Sequence, residues 1–515
     1  MADRERRSGR RGRRSAAETA PAPTRSIAYR RLINPLIRQP AFSDDRVEAI
    51  HQTALRVLEE LGIKVLNGQA RDRFKKAGAD VDGDSWMVRL DRGLVEEAIR
   101  TAPGQFDLIA GSAERRVTLG GDHVAFMGVG GPPHISDLDH GKRPGTLEDT
   151  RNLIKLTQSF DVVHLLSPNV EPQDIPIEIR HLDMTYAEMT LSDKAPFVYA
   201  RGPGQVRDCF AMIRLARGVD EDTFAARPYC YTVINTNSPR QLDIPMCQGI
   251  MDFADAGQIS LITPFTLSGA MAPVTIAGAL TLAHAEALAG ITLAQVSRPG
   301  APVLYGSFTS NVDMKSGSPA FGTPEFIKGA FGAGQLARHI DVPWRGSVGT
   351  ASNAPDEQAV YETLMSMWGN MLGGAHVHLH AAGWLEGGLT ASMEKFVLDV
   401  EMLQILAEML QPLDASDAAI GYDAIAEVEP GGHFFAAAHT MERYQTAFYQ
   451  PLVSDWRNFG QWSEDGATWS STRANRIWKE TLANFTPPPL DPGIVEALDE
   501  FVIRRKAEGG EPPVS

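Results

Sequence analysis

Between residues 123 and 381 one pattern recurs eight times: a short apolar run, a turn, and then a longer stretch whose apolar residues fall at helical spacing. The predicted strands are 123–129, 161–167, 196–201, 229–235, 259–265, 302–308, 345–350 and 376–381. Their starts lie 38, 35, 33, 30, 43, 43 and 31 residues apart, the length of a strand, a turn, a helix and a second turn. Strand and helix alternating through eight such units predict an α/β fold, the (β/α)8 TIM barrel. An open doubly wound sheet fits the same alternation. The first strand-to-helix turn lacks a GxGxxG, which counts against a dinucleotide enzyme.

The flanks divide the 515-residue chain into expected domains: a disordered basic tail (1–41), an N-terminal helical and mixed cap region (42–120), the catalytic barrel (121–394) and helices packing on the barrel (395–515). In the cap region Ser43 can cap a helix and Asp44 and Asp45 suit its first turn. Val47, Ile50, Leu55, Leu58 and Leu61 then follow helical spacing up to Gly62. The C-terminal region holds predicted helices at Lys395 to Leu410 and Ile494 to Lys506. Between them lies an aromatic segment that includes Phe434, Phe435, Tyr444, Phe448, Tyr449, Trp456, Phe459 and Trp462, read as packing residues.

The first 31 residues hold ten Arg against Asp3, Glu5 and Glu18, a surplus of +7, so a net charge of −15 leaves −22 on the remainder. An acidic body repels phosphate backbones and argues against a nucleic-acid partner, while favouring a cationic or zwitterionic small ligand. No apolar core follows the arginines, so the head reads as a solvated tail and not as an export signal; an arm docking on an acidic partner and non-specific RNA binding are its alternatives. Three cysteines without a CxxC point to a reducing cytoplasm. The longest apolar stretch, Ala270 to Val296, contains His284 and Glu286 and reads as a buried helix, with no membrane association expected.

In a barrel, function gathers at the C-terminal ends of the strands. That filter selects Met127, Gly128, Gly130 and Gly131 after strand 1, Asn169 and Glu171 after strand 2, Tyr199 and Arg201 on strand 3, Asn235, Asn237 and Ser238 after strand 4, and Ser268 and Met271 after strand 5. It also selects Ser310, Asn311 and Asp313 after strand 6, Ser352, Asn353 and Asp356 after strand 7, and His378, His380, Trp384 and Glu386 after strand 8, with Phe308 an aromatic at the same level as Tyr199 and Trp384. Amides, carboxylates and aromatic rings of this kind suit a positively charged ligand, each ring adding about 1–2 kcal/mol to a desolvated quaternary ammonium. In His376-Val-His-Leu-His the period of two predicts three imidazoles on one face. Two of them, His378 and His380, raise the alternative of a metal-dependent hydrolase. The other barrel histidines form no second HxH or HxxxD, so a hydrogen-bonding layer and no tightly bound metal is the expectation. GxSxG, GxxxxGK[ST] and HExxH are all missing.

Several segments together resemble the trimethylamine methyltransferase (MttB) superfamily. They are Tyr305-Gly-Ser-Phe-Thr-Ser-Asn-Val-Asp-Met-Lys-Ser-Gly, Gly322-Thr-Pro-Glu, Leu267-Ser-Gly-Ala-Met-Ala-Pro-Val-Thr-Ile-Ala-Gly-Ala-Leu, Asn235-Thr-Asn-Ser-Pro and Gly432-His-Phe-Phe with His439-Thr. The resemblance implies a TIM barrel that moves a methyl group from a methylated amine to the cobalt of a corrinoid, carried by a partner protein or supplied free. With only standard residues, the chain resembles the non-pyrrolysine branch, similar to glycine betaine methyltransferases. On this reading Asn311, Asp313 and Glu386 face a quaternary ammonium, and Tyr199, Phe308 and Trp384 pack its methyl groups. Asn235, Asn237 and His378 fix a carboxylate, and the protein is a cytoplasmic homo-oligomer. A barrel that only binds betaines is the remaining alternative.

Overall fold

The computed structural model describes residues 28–199 and 201–514, so the expectation for the arginine-rich head falls largely outside the described residues. Strand β1 (Leu32–Ile33) pairs antiparallel with β2 (His123–Gly128), which places ordered chain upstream of the expected boundary at residue 42.

The barrel strands β2, β3 (Tyr231–Thr236), β4 (Ile259–Ser268), β5 (Val303–Gly306), β7 (Trp344–Ser347) and β8 (Val377–Ala382) are joined in parallel register. The second and third units contribute single bridging residues in place of the expected strands: Met127 pairs Leu165, Leu165 pairs Ala195, and Phe197 pairs Tyr231. These parallel bridges complete the ring, and the fold is the expected (β/α)8 barrel. The sixth strand breaks at Ser307 and continues as β6 (Phe308–Val312), parallel to β4, before turning back at Pro319–Ala320.

Inside the ring, alternation turns Ala125, Met127, Tyr231, Leu261, Leu304, Val377 and Leu379 into one buried cluster. Eight helices follow the eight strand positions, and side-chain caps start most of them: Thr146 with Asp149 as a reciprocal box, Asp243, Thr275, Thr323, Asp356 and Ser392. The eighth helix, Met393–Met409, spans the expected boundary at 394/395.

The apolar stretch singled out in the sequence is the helix Ile276–Ser297. Its hydropathy and length would allow a membrane span, but 72% of that window is buried in the fold. It shares one core with Asp44–Arg56 and Arg92–Thr101 of the N-terminal region, through Val47, Ile50, Leu55, Val95, Leu280, Leu288 and Ile291. At the C-terminus Ser470–Ala483 meets Met393–Met409, with Trp478 Nε1 donating to Glu394 at 2.9 Å. Pro492–Ala507 meets Pro203–Arg217 through the Arg505–Asp208 pair at 2.8 Å. Residues 411–452 form a separate unit of short helices, in which Phe435 and Phe448, expected as packing residues, are 80% and 70% exposed.

Candidate functional site

At the C-terminal ends of the strands a cavity of about 630 Å³ draws its walls from all eight units. Phe197, Tyr199, Phe265, Phe308 and Trp384 supply aromatic surface, with Met246 and Met271 beside them. Phe308 is the hub of this wall, its ring centroid 4.9 Å from Phe265, 6.2 Å from Trp384 and 5.9 Å from His380. The His380 and Trp384 rings lie 3.8 Å apart. The described lining contains no Asp, Glu, Lys or Cys. Burial shifts two of its titratable groups, Tyr199 and His380, away from neutrality. Burial, and then Glu171, pushes the Tyr199 phenol up to about 12, and burial keeps His380 far below its ordinary range.

The loop after β3 is fixed from behind. Thr236 and Ser238 donate hydroxyls to buried Glu286 at 2.7 and 2.6 Å, and the Arg240 N–H donates to it at 2.8 Å. Loops of the first and eighth units are tied together in a small sheet, where Thr390–Ser392 runs parallel to His134–Ser136.

Arg345 points into the barrel from β7 and is 1% exposed. Its Nε and Nη1 have no acceptor among the described residues, and its Nη2 lies 3.5 Å from His380 Nε2. The guanidinium sits 5.9 Å over the Phe308 ring, and burial lowers its pKa to about 9, so the group stays charged at neutral pH.

Of the residues expected at the site, Tyr199, Asn235, Asn237, Phe308, His380 and Trp384 line the cavity. Asn237 is also a turn residue, its Oδ1 accepting from the Asp243 N–H at 3.1 Å. The three residues expected to face an ammonium lie elsewhere. Asp313 is exposed in the turn after β6, where it accepts from Ser316 Oγ at 2.7 Å and from the Ser316 N–H at 3.1 Å. Asn311, just before it, accepts from Thr323 Oγ1 at 3.1 Å. Glu386 is bound by Lys142 Nζ at 2.5 Å and Thr390 Oγ1 at 2.6 Å; these partners outweigh partial burial and hold its carboxyl below the usual range.

His376, just before β8, and His378 and His380 within it do not share a face. His376 accepts from the Trp344 N–H at 2.8 Å and donates to the Gly121 carbonyl at 2.9 Å. His378 is fully buried against Phe126, 5.4 Å away, on the side of the sheet opposite Ala125 and Met127. The pairing of β8 with β2 shifts register between His378 and Ala382, and His380 takes a φ of 65°. That left-handed residue turns the third imidazole into the cavity alone, so the paired-histidine metal site lacks its geometry. Among the described residues, the one set of three side chains close enough to share an ion, Asp137, Asp139 and His140, is not part of the cavity wall.

Strand-end reasoning missed Arg345 and Phe265. Both lie within predicted strands, and the signal available for Arg345 was a lone cation opening an otherwise neutral segment.

Comparison with known proteins gives a consistent family. The family described as "Trimethylamine methyltransferase (MTTB)" matches residues 6–510. A glycine betaine methyltransferase of Desulfitobacterium hafniense (strain Y51) is 36% identical over 471 residues, covering 91% of this chain and 98% of the relative. A trimethylamine methyltransferase MttB of Desulfitobacterium hafniense (strain DSM 10664 / DCB-2) is 30% identical, covering 91% and 94%. Among solved structures, a hydroxylamine complex of MtmB superposes with a TM-score of 0.50 at 9% identity, covering 91% of this chain and 88% of that one, a likeness of fold.

Proposed function

The chain belongs to the trimethylamine methyltransferase family, and on that premise we propose that it removes a methyl group from a quaternary amine and delivers it to a corrinoid held by a partner protein. The observation that carries this reading is the cavity wall, which is aromatic and cation-bearing and, among the described residues, holds no Asp, Glu, Lys or Cys side chain. Loss of a methyl group from a quaternary ammonium leaves a neutral tertiary amine, so no general acid is required. An acceptor from outside fits such a wall, and the corrinoid supplies the cobalt nucleophile when it is brought to the mouth.

The chain's own residues do the rest. Phe265, Phe308 and Trp384 offer ring faces to the ammonium, with Tyr199 at the same level. Holding the cation in one orientation converts a bimolecular displacement into a positioned one, and the apolar walls exclude competing water. The Asp313 and Glu386 carboxylates, engaged with Ser316 and with Lys142, have no part in this scheme. Three buried unpaired cysteines support action in the cytoplasm.

The test is to supply the protein with reduced cobalamin or a corrinoid protein and a panel of quaternary and tertiary amines, and to follow methyl–cobalt formation by absorbance. Methylation from at least one quaternary amine is expected. Binding without methyl transfer to any corrinoid would point to a betaine-binding barrel and overturn the reading.

A further inference from the structure

We infer that residues 509–514 are a positioning clasp for the cavity. Together with Gln205 they fix the main chain at Arg201, and through Arg201 the ring of Tyr199, one of the aromatic groups at the level of the ammonium. The kinetic part of this inference rests on the methyl-transfer reading above, and the structural part does not.

The third unit brings Phe197, Tyr199 and Arg201 to the wall from bridging residues in place of a regular strand. Val198 still donates its N–H to the Tyr231 carbonyl of the barrel at 2.9 Å. At Arg201 the support comes from outside the barrel: its N–H donates to Gln205 Oε1 at 2.9 Å, and its carbonyl accepts from the Val514 N–H at 3.0 Å. Gln205, in the helix Pro203–Arg217, is 4% exposed. Its Nε2 donates to the Glu511 carbonyl at 2.9 Å and to the Ile177 carbonyl at 3.2 Å. One buried amide thus joins the wall to a residue 306 positions later, using its acceptor and its donors together.

The clasp is itself tied down. The Glu511 N–H donates to the Glu178 carbonyl at 2.9 Å, and Arg505 Nη2 donates to the Glu511 carboxylate at 2.8 Å. Arg505 Nε is held by Asp208, whose other oxygen meets His181 Nε2 at 3.0 Å. Pro512 and Pro513 have little conformational freedom to lose on docking. At Gly202, with a φ of 109°, a Cβ would lie 2.5 Å from Val514 Cγ2, so glycine admits the segment beside Arg201. Arg201 then carries the constraint inward: Nη2 donates to the Tyr199 hydroxyl at 3.0 Å, and the guanidinium stands 5.7 Å over that ring. Releasing the clasp frees the ring to swing, which weakens the hold on a bound cation and leaves the barrel core untouched.

The experiment compares the full chain with one ending at Gly510 and with Gln205→Met, which keeps the side-chain length and removes its hydrogen bonds. Trypsin cleavage of the Arg201–Gly202 bond, followed by mass spectrometry, should be about tenfold or more faster in both variants, while cleavage elsewhere in the barrel is unchanged. With reduced corrinoid and with glycine betaine or tetramethylammonium as methyl donor, KM should rise about fivefold or more and kcat should stay within about twofold of wild type, the pattern of lost uniform binding. Unchanged cleavage at Arg201 overturns the inference. So does a KM within about twofold of wild type, whatever kcat does. If both variants melt far below wild type, the segment serves folding and the positioning role falls. If wild type demethylates no quaternary amine, the methyl-transfer reading falls, and cleavage at Arg201 alone decides the clasp.

Discussion

A methyl group added at Gly130 would lie 2.5 Å from Cε1 and 2.9 Å from Nδ1 of His380. Glycine is therefore required there by the close approach of the imidazole. Gly130→Ala should push the ring out of line and break the N–H to Nδ1 bond. The expected result is a KM for the quaternary substrate raised by about tenfold or more, roughly 1.4 kcal/mol, with the melting temperature little changed; unaltered KM would show that His380 has no share in binding. At this scale much of the site was legible in the sequence. Tyr199, Phe308, His380 and Trp384 followed from strand ends and the habit of barrels to bind at that face. The acidic residues misled because net charge has no address. Asp313 is satisfied within its own turn and Glu386 by Thr390 and by Lys142 of the first unit, and the charged side chains in the described cavity wall, Arg201 and Arg345, are of the opposite sign. Arg345 was hidden because it opens its strand, where side-chain length alone decides whether it reaches the mouth.

Period and spacing predicted the elements better than their edges. Six strands stand near their predicted places, whereas 161–167 and 196–201 shrink to bridging residues at Leu165, Ala195 and Phe197. Apolar content marked these segments as core but could not say how much regular pairing they keep. Strand six runs on to Val312 and into a hairpin, which is what carries Asn311 and Asp313 beyond the cavity. Strand eight shows the limit of period-two reasoning, since one left-handed residue at His380 reverses the face that alternation assigns. Helix Ile276–Ser297 shows its strength: an apolar surface on all sides demands burial on all sides. Leu288 on that helix is fully buried, between barrel and N-terminal helices. Leu288→Ala should cost about 2–5 kcal/mol in urea unfolding, while an exposed change on a peripheral helix, such as Ile503→Ala, should cost less than about 1 kcal/mol.

For the whole molecule, acid is the expected weakness. Burial depresses His51 to about 4 and His164 and His378 to about 3, with the neighbouring charges of His339 and Lys194 adding to the effect on the first two. His284 and His380 are lowered as well, by burial first. These groups are neutral when folded and protonate in the unfolded chain near the ordinary histidine value of about 6.5. The stability they contribute is complete above that pH and is lost as pH falls toward their folded values. Unfolding between about pH 6 and 4 should take up about three protons or more, read from the slope of unfolding free energy against pH; uptake of one or fewer would contradict the burial described here. The helix Ile276–Ser297 also bears on how the chain is made. The layer it packs against, Asp44 to Thr101, leaves the ribosome long before it, with apolar faces bare. Through most of synthesis those early helices are half of an interface whose other half does not yet exist, so they are customers for chaperones and cannot be harvested as a free-standing fragment.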